Sequence, residues 1–213
     1  NSKIFKNEDE ANYYCENSDC PAQVHGRIEH FAMRGAMDIE GLGEAVVSTL
    51  LEKDFIKNYS DLYVLHNRKD ELAQIERWGV KSVQNLLDGI EASKSKPYHR
   101  VLYAMGIRHV GSRIAEILEE NFPHMNDLLQ CTEEQLLAIN DIGPKIAKSI
   151  VHFFQDEHNQ KIISHLKSAG LQFSSEKKSG NGKLSGKTFL VTGTLEHYSR
   201  EEAKEIIETH GGK

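Results

Sequence analysis

Residues 136–151, LLAINDIGPKIAKSIV, decide the fold. Apolar residues recur at helical spacing on both sides of an Ile-Gly-Pro, so the stretch reads as two helices. The break at 142–144 is too short for a true loop. Pro144 suits the first position of a following helix, where its missing N–H costs nothing. Gly143 suits the turn before it, because glycine takes a positive φ without a Cβ clash. The unit is helix, tight hairpin, helix.

The same unit appears three more times along the chain. Ile39–Gly43 (IEGLG) is followed by Val47, Ile75–Gly79 (IERWG) by Val83, Ile107–Gly111 (IRHVG) by Ala115, and Ile139–Gly143 (INDIG) by Ala147. The shared template is apolar, two variable residues, apolar, Gly, three residues, then Ala or Val. The small residue predicts close approach of the two helices. Each Gly precedes an amphipathic run; in SRIAEILEENF, Ile114, Ile117 and Leu118 fall on one face. The apolar-rich segments HRVLYAM and EEQLLAI precede the third and fourth bends.

A glycine hairpin that opens a helix exposes unpaired N–H groups and a partial positive charge. This predicts an anion site built from backbone, able to take a phosphate. The candidates are Gly43, Gly79, Gly111 and Gly143, with Arg77, Lys81, Arg108, Arg113 and Lys145 as charge partners. Glu116, Glu119 and Glu120 lie about a turn further along. Backbone donors answer an objection from composition: the net charge is −6, whereas a Lys/Arg-driven nucleic-acid binder is usually basic. The competing reading is a helical repeat scaffold for protein partners, whose period of ~34 residues is similar. Its W-x-x-L-G-x-x-Y type of signature is absent, and Gly79 directly follows Trp78.

The remaining composition is ordinary for a soluble globular chain: 213 residues, 38% hydrophobic, with a mean hydropathy of −0.52. There is room for one large or two small domains, and no run approaches the ~20 apolar residues of a membrane helix. The opening NSKIFKNEDEANYYC is polar and acidic, which is no signal peptide. It lacks an initiator Met and reads as a piece of something longer. Three cysteines make no disulfide framework, which points to a reducing cytoplasm. Cys131 reads as core or incidental. Cys15 and Cys20 form a C-x4-C knuckle that offers two thiolates to zinc. Three alternatives stand: a half-site completed elsewhere, a Cys2His2 site with His25 and His30, or free thiols. The Cys20–His25 gap is short of the ~12 residues usual between ligand pairs.

After Phe173, SSEKKSGNGKLSGK reads as a flexible linker. KTFLVTG then reads as a short buried strand. SREEAKEIIETHGG reads as a helix with a Ser199–Glu202 capping box and a stop at Gly211. A single strand without a partner cannot satisfy its backbone, so 186–213 is expected to be unfolded or loosely attached.

These residues carry a family resemblance. The four bends resemble the helix-hairpin-helix motif of DNA repair proteins. CENSDCPAQVHGRIEHFAMRGAMDIEGLGEAVV resembles the junction of zinc finger and helix-hairpin-helix domain in bacterial NAD-dependent DNA ligases. LYAMGIRHVG and IGPKIAKSIVHFF resemble that family's third and fourth hairpins, and the carboxyl end resembles the opening of a BRCT domain. In some BRCT domains a phosphate sits at the place matching Thr192 and Gly193. The likeness runs from Tyr14 to Lys213.

The resemblance implies a mainly α fold of tandem helix-hairpin-helix repeats, a small zinc-knuckle remnant and a truncated α/β piece. It implies a zinc-finger half over 1–24, a helix-hairpin-helix domain over 25–173, a linker over 174–185 and a BRCT start over 186–213. Two more cysteines would precede Asn1 and complete a four-cysteine zinc site with Cys15 and Cys20. An adenylation domain using NAD and Mg2+ would also lie upstream, so no residue here takes a catalytic role. The implied partner is nicked double-stranded DNA, gripped along its backbone without sequence preference by a cytoplasmic monomer with no membrane contact. A stand-alone helix-hairpin-helix module of a repair nuclease or junction-binding protein is the alternative.

Overall fold

The computed structural model describes residues 4–6, 13–15, 21–175, 183–184, 187–193, 195, 198 and 200–212. The chain is mainly α-helical and divides into two compact units, Asn1–Ser174 and Ser175–Lys213.

The first unit opens with a pair of antiparallel strands that sequence reading missed, β1 (Ile4–Lys6) and β2 (Tyr13–Cys15), with Ile4 opposite Cys15. Cys20 and the side chain of Cys15 lie outside the described residues, and so does the zinc half-site expected there. Helices follow in four pairs. Hairpin 1 joins α1 (Pro21–Ala32) to α2 (Glu44–Glu52). Hairpin 2 runs from a 3-10 helix (Tyr59–Arg68) and α3 (Lys69–Leu72) into α4 (Val80–Ser93). Hairpin 3 joins α5 (Tyr98–Ala104) to α6 (Ser112–Asn121). The short α7 (Met125–Leu129) leads to hairpin 4, which joins α8 (Glu133–Leu137) to α9 (Pro144–Gln155). Helix α10 (Glu157–Ala169) packs on both α9 and the 3-10 helix.

The repeat explains the packing. Val47, Val83, Ala115 and Ala147, four places after each glycine, are all completely buried. Ile117 and Leu118 are buried and Ile114 packs against the same core, as the helical spacing predicts. Pro144 is the first residue of α9. Cys131 is half-buried against the core, and burial pushes its thiol pKa up. Phe31 stacks on Tyr59 at 4.6 Å, and the Tyr63 hydroxyl bonds Ser93 Oγ at 2.9 Å, which ties the 3-10 helix to α1 and α4. Burial pushes both phenols above their ordinary range.

Hairpins 1 and 3 are tied together by polar contacts. The loop after α1 leaves carbonyls unpaired, and Arg100 of α5 donates Nε to Ala36 O at 2.6 Å and Nη2 to Arg34 O. Lys96 Nζ meets Asp38 Oδ2 at 2.9 Å, and His30 Nε2 donates to Tyr103 O at 2.9 Å with its ring edge-on to Tyr103. His25 bonds Ser48 Oγ at 2.9 Å. Both imidazoles of the Cys2His2 alternative are therefore engaged by protein groups.

In the second unit, α11 (Arg200–Thr209) forms where a helix is expected. Gly211 ends it at φ +83°, and Gly212 N–H bonds Ile207 O at 2.9 Å. Ser199 of the expected capping box lies outside the described residues. The strand expected over KTFLVTG is corrected: residues 187–193 form none, and Leu190 is 88% exposed. No partner strand faces it among the described residues of this unit, so its backbone has no ladder to join.

Candidate nucleic-acid interface

The four bends share one backbone geometry. The fourth residue donates its N–H to the carbonyl of the first: Leu42 to Ile39 at 3.4 Å, Trp78 to Ile75 at 2.9 Å, Val110 to Ile107 at 3.0 Å and Ile142 to Ile139 at 3.2 Å. The third residue is left-handed each time: Gly41 at φ +84°, Arg77 at +69°, His109 at +66° and Asp141 at +70°. A closing bond with positive φ only at the third position is a type II turn.

The repeat glycines come next, and here the expectation of a positive φ is corrected. Gly43, Gly79, Gly111 and Gly143 have φ of −86°, −83°, −84° and −87° with extended ψ. Each is the N-cap of its helix, a position that is extended by nature. Each carbonyl accepts the first helical bond, from Val47, Val83, Ala115 or Ala147, at 3.0–3.1 Å. The left-handed residue lies two places earlier.

Glycine is a favoured N-cap residue, but lack of space is not what keeps a side chain out. A Cβ built on any of the four would meet nothing within 4 Å. None supplies a side-chain cap. Three other helices are capped by side chains, Asn58 accepting from Ser60 N, Thr132 from Gln135 N and Asp156 from Asn159 N, whereas the short α3, α5 and α7 are not. The four hairpin helices instead present open amides behind a residue with no side chain.

Charge placement sharpens the contrast. Lys81, Arg113 and Lys145 each occupy the second position of their helix, where a cation opposes the macrodipole. None of α4, α6 and α9 has a carboxylate in its first turn. Helices α3, α7, α8 and α10 do the reverse, with Glu133 and Glu134 starting α8 and Glu157 starting α10, while α1 and α5 have no carboxylate in the first turn. Three hairpins thus gather positive potential at an exposed helix start, an arrangement that suits an external anion better than the helix itself. Hairpin 1 differs: α2 begins with Glu44 and Ala45.

The Arg77 side chain is 90% exposed and 3.9 Å from Glu76. That of Arg113 is 69% exposed and 3.5 Å from Glu116. Arg108, Lys81 and Lys145 are exposed as well. Glu119 is engaged by His99, whose Nδ1 lies 2.8 Å from its carboxylate. Hairpin 1 packs its turn onto α4, where a Cβ on Gly89 would fall 2.7 Å from Glu40 O. Among the described residues, no group of three or more His, Cys, Asp or Glu could hold a metal ion, and no helix is long and apolar enough to cross a membrane.

Sequence reading found the glycines and the cations. It missed the common second-position register of Lys81, Arg113 and Lys145, although counting from each glycine would have revealed it. It also missed the left-handed residues.

Fold and bends together define tandem helix-hairpin-helix units. The helix-hairpin-helix motif profile matches residues 100–163, and that of the BRCA1 C Terminus (BRCT) domain matches 179–213. The more particular likeness is to DNA ligases. The chain is 49% identical over 210 residues to a DNA ligase of Caldicellulosiruptor bescii, covering 99% of this chain and 31% of that protein. It is 44% identical to one from Koribacter versatilis, with 99% and 31% covered, and 45% identical to one from Acetivibrio thermocellus, with 99% and 32% covered. The chain thus spans about a third of these relatives, and the matches fit the C-terminal portion of a DNA ligase.

Proposed function

We propose that this chain is the DNA-gripping portion of an NAD-dependent DNA ligase, holding duplex DNA around a 5′-phosphate/3′-hydroxyl nick through its sugar-phosphate backbone. The reading rests on one observation: four helix starts without a side-chain cap, each behind a glycine with open space around it. Amides at these corners donate to phosphate oxygens, and Arg77, Lys81, Arg108, Arg113 and Lys145 add charge. Such contacts position a protein on DNA without reading bases. Joining a nick depends on placement of the reacting ends, and placement is this segment's part. NAD, Mg2+ and the catalytic lysine belong to an adenylation domain upstream. Cys15 and Cys20 contribute half of a four-cysteine zinc site. The protein works as a monomer in the cytoplasm.

Binding of a nicked duplex measured against salt tests the reading. Phosphate contacts predict affinity that falls steeply as salt rises; a flat response would favour the protein-binding scaffold. Gly143→Val adds a side chain where the chain itself has room, so the thermal midpoint should hold within a few degrees while affinity drops about equally for all sequences. Unaltered affinity in a folded variant would defeat the assignment.

A further inference from the structure

Hairpin 2 departs from the other three on its outer surface. Its fourth turn residue is half-buried Trp78, where the others bury Leu42, Val110 and Ile142. Its first helical residue is Val80, where the others have Glu44, Ser112 and Pro144. Val80 is 67% exposed, takes no part in the core, and stands between open Gly79 and the Lys81 cation. Nothing about folding favours an apolar side chain there. At the turn an open groove of about 340 Å³, lined by Trp78 but not by Val80, joins apolar Val46, Trp78 and Leu86 to polar Arg77, Ser82 and Asn85. That volume sits at the lower end of the range for small-ligand sites.

An apolar patch bracketed by anion-holding groups has the rhythm of a nucleic-acid strand, in which an uncharged sugar separates consecutive phosphates. We infer that Trp78 and Val80 seat the deoxyribose face of the strand whose phosphate the α4 amides hold, with the groove taking the edge of that nucleotide. Hairpin 2 then adds a salt-insensitive contribution to the grip. Continuity with the helix start and the flanking charges of Arg77 and Lys81 argue for this occupant over an apolar peptide. The inference rests on the reading that the hairpins hold DNA.

The test is a salt titration of duplex binding with the whole chain. Val80→Ser removes two exposed methyl groups and leaves the core alone. It should weaken binding roughly three- to tenfold, the worth of a partly buried valine, with the slope of log affinity against log salt unchanged. Trp78→Leu should do the same. Lys81→Gln should instead flatten the slope by about 1. Val64→Ser, at an exposed valine in the 3-10 helix, should change neither quantity. Wild-type affinity in folded Val80→Ser and Trp78→Leu, or a changed slope, overturns the sugar seat but leaves the phosphate reading intact. Absence of salt-dependent binding by the parent chain removes both.

Discussion

Arg77, His109 and Asp141 hold a left-handed backbone that L-residues adopt at a cost. His109→Gly should therefore stabilise the chain by up to about 1 kcal/mol, since the strain relieved is slightly larger than the added freedom of the unfolded glycine. His109→Val should lose roughly 1 kcal/mol or more, because a branched Cβ fits that region worst. Chemical denaturation of both variants checks the pair. The repeat glycines predict a second ordering. Gly79→Val, Gly111→Val and Gly143→Val should each weaken DNA binding more than Gly43→Val, because α2 starts with Glu44 and lacks a second-position cation. Equal losses at all four sites, measured by gel shift, would refute the ranking. At this scale the glycine spacing was readable from sequence, but the residue bearing the positive φ was not. Histidine and aspartate merely tolerate it, and nothing in an arginine announces it.

At the level of elements, close contacts set the outcome of substitution. Gly89 lies inside α4, where alanine would favour an isolated helix by about 1 kcal/mol. Its Cβ would stand 2.7 Å from a backbone oxygen of Glu40, which cannot swing aside. Packing should win, so Gly89→Ala is expected to destabilise the chain by roughly 1–3 kcal/mol, seen as a lower denaturation midpoint. The loop after α1 is sensitive to acid. The Lys96 ammonium beside Asp38 holds that carboxyl below its usual range. The folded state thus favours the charged form, so the stabilisation is complete above the unfolded carboxyl value near 4 and fades as pH falls through the lower folded value. The pair is partly exposed and is worth at most about 1 kcal/mol. In Lys96→Met, an NMR titration should show Asp38 returning toward its ordinary value. Sequence periodicity showed the hairpin pairs because the core repeats with them. The 3-10 helix and the Arg100 contacts were not readable, since each depends on partners dozens of residues away.

Across the whole molecule, the net charge of −6 says little about what the surface can hold. Three helix starts are locally positive, and a steep salt dependence is expected in spite of the overall sign. The two units should also differ in hydrogen exchange. Amides of Ile162–Leu166, in a buried stretch of α10, should be strongly protected, whereas those of Phe189–Thr192, which form no ladder, should exchange quickly. Slow exchange over Phe189–Thr192 would show a pairing that the described residues lack. The β-like composition of KTFLVTG misled because composition cannot supply a neighbouring strand. Finally, the bonds from Arg100, Lys96 and His30 link hairpins 1 and 3, so the spacing of their two bends is a property of the folded chain. On the proposed function, that spacing would favour a duplex whose backbone matches it over one of another width.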